Sequence, residues 1–337
     1  MTAFSLLDLA PIRQGGDAAE AFRLTRERAQ RAEALGFRRF WLAEHHNMTG
    51  IASSATAVLL GHVAEHTATI RVGSGGIMLP NHAPLVVAEQ FGTLETLHPG
   101  RIDLGLGRAP GTDRNTVRAL RRDRLDGAER FADDLAELQG YLRPAGLKPG
   151  VRAVPGTGLA IPLWILGSSP DSADLAARLG LPYAFATHFA PDQVMDALAR
   201  YRAGFQPSDQ LAEPHAMLGL NVAAADSDAE AQRQFTSVQQ QFRNMLRGRT
   251  PGPLPPPVDD MDAHWAPEER ERVNAMLWAS AVGGPETVRA QTAAFIEQTG
   301  ADEIMATTQM HDPNAALRSL EILAEVRELR ESQPCAN

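Results

Sequence analysis

Short apolar runs alternate with longer amphipathic ones along most of this chain, and the alternation predicts its architecture. Eight runs have the length and the alternating or β-branched composition of strands: 4–11, 38–45, 71–79, 101–109, 162–168, 183–189, 216–224 and 303–309. The stretches between them carry helical spacing, as in PLVVAEQFGTLETL, where Pro84 suits a first turn. Helix starts are marked by Asp17 with Glu20 and Ser227 with Glu230 at capping-box spacing, and by Ser169 and Asp312, each before a proline. Gly36, Gly180 and Gly300 follow periodic runs as stops. Strand, helix and strand in succession build a parallel sheet. Eight such units favour closure into a (β/α)8 TIM barrel over an open doubly wound sheet, although periodicity alone fits both.

Three regions interrupt the rhythm as insertions in one barrel domain spanning 1–337. Residues 110–161 are too many for one crossover and hold polar helix-like segments and a PAGLKPG turn. Residues 249–267 carry five prolines between 251 and 257, which exclude regular structure and read as a mobile lid or as a disordered insertion. A helix over roughly 267–280 precedes the last strand–helix unit.

Composition narrows the function classes. A chain of 337 residues with 44% hydrophobic content can bury a large core, and its formal charge of −9 argues against nucleic-acid or anionic-membrane partners. The one cysteine, Cys335, cannot form an internal disulfide and suits a reducing compartment. The first residues lack the order of a signal peptide, and no apolar run reaches the length of a membrane span. A soluble cytoplasmic protein is expected.

Candidate chemistry gathers where strands end, the face on which such barrels build their sites. WLAEHH finishes the second strand and delivers Glu44, His45 and His46; side chains alternate along a strand, so at most one histidine faces the axis. A histidine there can move a proton near neutral pH, or else both are solvated loop residues. Gly75 and Gly76 in GSGGIMLP lack Cβ atoms and let backbone approach a flat ligand, or mark a bulge or tight turn. Arg108 ends the fourth strand, where a guanidinium can clamp a phosphate. Ser168, Ser169 and Ser172 in LGSSPDS open a helix whose free N–H groups suit a phosphate, or simply cap it. Asp171 in that turn opposes an anion unless it points to solvent. Neither glycine-rich loop fits the dinucleotide fingerprint or a P-loop. His62, Glu65 and His66 have the order of a zinc-peptidase helix, but that helix ends at the opposite end of the barrel without a third ligand, so no metal is expected.

With WLAEHH, VGSGGIMLP, AEQFGTLETLHPGRIDLGLGRAPG and LGSSPDSADLAARLGLP in this order, the chain resembles the bacterial luciferase-like flavin monooxygenases over most of its length, most clearly in 4–111 and 162–190. The resemblance implies a (β/α)8 barrel that uses reduced FMN, or in some branches the deazaflavin F420. It makes His45 the counterpart of the catalytic histidine and Glu44 that of a flavin-site carboxylate. Gly75–Gly76 matches a cis peptide against the isoalloxazine ring, Arg108 the phosphate-binding arginine, and Ser168, Ser169 and Ser172 the phosphate-binding turn. Two departures stand out: luciferase has a carboxylate near the position of Ser168, and Gly107 replaces its reactive cysteine. The implied activity is an FMN-dependent monooxygenase fed by a separate reductase, oxygenating a small organic substrate through a flavin C4a-peroxide. An F420-dependent hydride-transfer enzyme and a non-catalytic flavin-binding protein are the alternatives, and a homodimer is expected.

Overall fold

Each strand expected from the hydrophobic pattern is present. The structure, a computed structural model, describes residues 2–109, 113–120, 129–144, 150–250 and 252–331. Cys335 and the central residues of the PAGLKPG turn lie outside them. The strands are β1 (Ala3–Asp8), β2 (Arg39–Leu42), β3 (Arg71–Met78), β4 (Ile102–Gly107), β5 (Leu163–Gly167), β6 (Tyr183–Phe185), β7 (Ala216–Ala224), β8 (Ser280–Gly283) and β9 (Glu303–Thr307). β1 to β7 pair in sequence, β7 pairs with β9, and β9 returns to β1, so eight parallel strands close a ring. The helices pack outside it, and a core of apolar side chains fills the space between. Among the described residues, no helix is long and apolar enough to cross a membrane.

One expectation needs correction. The helix anticipated over 267–280 is α9 (Pro267–Met276), and the residues that follow form β8, a ninth strand. β8 pairs with the distal half of β7, from Asn221↔Ser280 to Ala224↔Gly283, and shares only Asn221 with the part of β7 that the ring uses. Ser280–Gly283 follows α9 after only three residues and holds one β-branched side chain, so the sequence reads on as helix and only the partner strand reveals it. The caps follow local chemistry. Asp17 accepts from Glu20 N at 2.8 Å and Ser227 from Glu230 N at 3.3 Å. Gly180 and Gly300 end their helices at φ +62°, a left-handed conformation that disfavours a Cβ.

Alternation along the strands sorts side chains between the outer core and the barrel interior. Phe4, Leu6, Phe40 and Leu42 face the helices, whereas Leu7, Trp41, Trp164, Met217 and Met305 pack together inside. Below them, charge closes the floor. Arg39 on β2 bonds Asp103 on β4 at 2.6 Å and Glu303 on β9 at 3.0 Å, all three buried. Asp103 also holds Arg71 at 2.6 Å and accepts from Trp41 Nε1 at 3.2 Å. Glu303 accepts from Ser5 and pairs with His215 at 3.1 Å. Burial opposes the Glu303 charge, but the His215 hydrogen bond and the Arg39 charge prevail and hold its pKa below the usual carboxylate range.

Arg39→Met leaves two buried carboxylates short of a partner. It is expected to destabilise the fold by about 3–5 kcal/mol in urea unfolding at neutral pH. A loss below about 1 kcal/mol, the size of a surface pair, contradicts the central place given to this residue.

Candidate active site

The carboxyl ends of β2 and β3 are joined by one buried carboxylate. Glu44 follows β2, and its Oε1 accepts from His46 Nε2 at 2.9 Å and from His82 Nε2 at 2.8 Å. Its Oε2 accepts from Met78 N at 3.3 Å, at the last residue of β3. Burial raises the cost of its charge, yet the hydrogen bonds and charges of the two histidines outweigh that and hold its pKa down to about 2. These donors come within 4.8 Å of one another, the spacing of a metal site, but both histidine nitrogens are engaged with the same carboxylate oxygen. Glu44 therefore fixes the ends of two neighbouring strands with its own hydrogen bonds. His45 follows it, half-buried and near enough for its charge to act on His188.

Beside it lies the glycine pair. The Gly75–Gly76 peptide is cis. A Cβ on Gly75 would lie 2.6 Å from Leu7 Cδ1, and one on Gly76 would lie 2.8 Å from the Gly105 carbonyl oxygen. The second clash is with backbone, which cannot swing aside, so position 76 admits only glycine. Gly107 is covered by Met78, whose sulfur would lie 2.8 Å from a Cβ there.

Arg108 stands at the end of β4, facing the turn into α6 (Pro170–Leu179). Its guanidinium lies 3.4 Å from both Ser169 Oγ and Asp171 Oδ2, and these contacts are long and largely exposed. Ser169 is the helix N-cap without a side-chain cap hydrogen bond. Ser168 is exposed on the same turn, whereas Ser172 is buried, donating to Ser169 O at 2.7 Å and lying 2.9 Å from Tyr183 Oη. The structure thus brings Arg108 and Ser169 together and turns Ser172 inward.

The proline-rich segment is stitched to the same end of the barrel. Leu254 is buried and exchanges hydrogen bonds with the loop after β1, donating to Ile12 O and accepting from Gln14 N, both at 2.8 Å. On its other side it is held by α8 (Asp228–Leu246), through Gln241 to Gly252 O and Gln240 to Pro256 O, both at 2.9 Å. The HVAEH stretch lies at the far end. It closes α2 (Thr56–Glu65) just before β3 begins, with His66 Nδ1 hydrogen-bonded to His62 O at 2.7 Å. Among the described residues no third metal-binding side chain joins it.

His45, Glu44, Gly75, Gly76, Arg108 and the serine turn all lie at this end of the barrel. His82 and His188, which no sequence motif marks, also lie past strand ends, a position that itself is the signal. Removing the Glu44 charge tests the cluster. A carboxyl whose folded pKa is depressed stabilises the fold above its ordinary pKa of 4.5, and that stability is lost as pH falls toward about 2. The stability gap between wild type and Glu44→Gln is therefore expected to be about 3 kcal/mol at neutral pH and to shrink below about pH 4.5. A gap independent of pH contradicts the assignment.

A profile of the luciferase-like monooxygenases matches residues 2–303. The chain is 53% identical to a luciferase-like monooxygenase of Escherichia coli K12 over 97% of both proteins. It is 38% identical to the N-acetyl-S-alkylcysteine monooxygenase of Bacillus subtilis over 70% of this chain and 72% of that protein. Among solved structures, apo-MsnO8 superposes with a TM-score of 0.87 at 36% identity, covering 98% of this chain and 99% of that one. Two more distant structures share the fold. One is the oxygenating constituent of 3,6-diketocamphane monooxygenase from Pseudomonas putida in complex with FMN (TM-score 0.74, 19% identity, 100% and 99% covered). The other is an F420-dependent secondary alcohol dehydrogenase with an F420–acetone adduct (0.69, 14%, 96% and 98%). With its closed parallel barrel and this set of residues at the mouth, the chain belongs to the luciferase-like monooxygenase family.

Proposed function

We propose that the protein is an FMN-dependent monooxygenase. The observation that carries this reading is the gathering, on one rim, of a Cβ-free edge at Gly75–Gly76, of His45, and of the Arg108–Ser169 pair. The edge suits a flat ring laid over it, and the guanidinium and serine suit a phosphate. Relatives at 53% and 38% identity carry monooxygenase names, whereas the F420-dependent neighbour is 14% identical, which favours FMN over F420. Reduced FMN, when bound, supplies the electrons that activate O2, sending one oxygen atom to a small organic substrate and the other to water.

The chain's own residues divide the remaining work. Gly75 and Gly76 seat the ring, Arg108 and Ser169 orient the phosphate end, and His45 holds or moves a proton at the reacting oxygen. Glu44 acts through His46 and His82 by fixing the strand ends around them. The segment 249–267 is the lid that keeps water from the mouth. A separate reductase supplies the reduced flavin, since the chain carries no dinucleotide fingerprint. We place the enzyme in the cytoplasm as a homodimer.

Anaerobic titration with reduced FMN, and separately with reduced F420, tests the cofactor. Tight FMN binding followed by a transient absorbance change on adding O2 is the expected result. Preference for F420, with no oxygen-dependent transient, assigns hydride transfer instead, and binding without turnover assigns a flavin carrier. His45→Ala is expected to lower product formation at least about a hundredfold while FMN affinity stays within about threefold. Unchanged turnover removes His45 from its role.

A further inference from the structure

β2 and β6 stand opposite one another, four strands apart by either route around the ring. His45 follows β2. His188 follows β6, in phase with Ala184 and Ala186, and with them it lines a cavity of about 50 Å3 that reaches Gly75 and Trp41. The turn that carries His188 is firmly built. Thr187 N donates to Phe185 O at 2.9 Å, Phe189 N donates to Ala186 O at 3.1 Å, and buried Asn221 donates from Nδ2 to His188 O at 2.8 Å. The imidazole rests on the β7 backbone at Gly219, where a Cβ would overlap Nδ1. Glycine at 219 is what admits the ring.

His188 Nδ1 is buried and has no hydrogen-bond partner among the described residues, a rare condition for a buried polar atom. Burial, and then the charge of His45, push its pKa down to about 4, so the ring is neutral at physiological pH. The residue keeps some accessible surface while Nδ1 keeps none, which leaves the Nε2 edge as its polar outlet. The wall around it is apolar: Leu7, Leu166, Phe185, Met217 and Met305.

We propose that His188 is a further binding residue of the mouth, an uncharged Nε2–H donor that holds a carbonyl-type acceptor of the molecule lodged over Gly75. The proposal rests on the flavin-site reading above. The acceptor belongs either to the flavin ring or to an uncharged organic substrate. A carboxylate is disfavoured, because a neutral donor in an apolar wall offers it no counter-charge.

Histidine-selective 15N NMR of the wild-type protein at about pH 6 reads protonation and tautomer directly, with the His188 signal assigned by its loss in His188→Gln. The expected spectrum is neutral Nε2–H, shifting on addition of FMN, which identifies the flavin as partner, or of cyclohexanone, which identifies a substrate carbonyl. His188→Leu is expected to weaken binding of the responsive probe about tenfold, whereas His188→Gln, which keeps an N–H donor, stays within about threefold. A protonated ring, the Nδ1–H tautomer, or a signal moved by neither probe overturns the proposal, and these readings need only the wild-type chain should the leucine variant fail to fold. Failure of the wild type to bind FMN while cyclohexanone still shifts His188 sinks the flavin reading and supports the donor.

Discussion

A parallel barrel closes only when its interior is filled, and in this protein the floor is filled by one guanidinium shared between two carboxylates from strands on either side of it. Arg39 reaches Asp103 across β3 and Glu303 across β1, so a single side chain ties together strands that do not pair with each other. Its guanidinium lies over Trp164, with the guanidinium carbon 4.8 Å from the ring centroid. Such a cluster is a poor source of net stability but a strict one of register, because every misplacement leaves a buried charge unpaired. Trp41 Nε1 hydrogen-bonds Asp103 and so rests on that floor. Leu7 and Trp41 in turn set the space under Gly75.

From that floor upward the interior changes character in layers. Charged groups give way to Trp41, Trp164, Met217 and Met305, and these to glycines and histidines at the mouth. The dry middle isolates the mouth from the polar floor. This is the environment in which an imidazole stays neutral and in which a reactive oxygen species is shielded from water. Glu44 plays at the rim the part that Arg39 plays at the base, with one group satisfied from three directions.

The barrel was legible because its strands are short apolar runs, buried on both faces, that alternate with capped helices along the chain. β8 escaped because Ser280–Gly283 follows α9 after only three residues and reads as its continuation. His45, Arg108 and the glycine pair were legible as chemistry at strand ends. The union of His46 and His82 on Glu44 was not, since 38 residues separate Glu44 from His82 and only the neighbouring of β2 and β3 brings them together. His188 was hidden for the same reason, its meaning depending on Gly219 in the next strand. Ser172 shows the reverse: a serine in a helix-opening turn suggests an anion, but its hydroxyl turns to Ser169 O and Tyr183 instead.

The most direct test of the account is a crystal structure of the protein with FMN. The isoalloxazine ring is expected over Gly75–Gly76 with His45 and His188 at its edge, and the phosphate on Arg108 and Ser169, with Asp171 displaced from the guanidinium. FMN bound elsewhere on the barrel, or lying in the mouth with its phosphate away from Arg108, contradicts it.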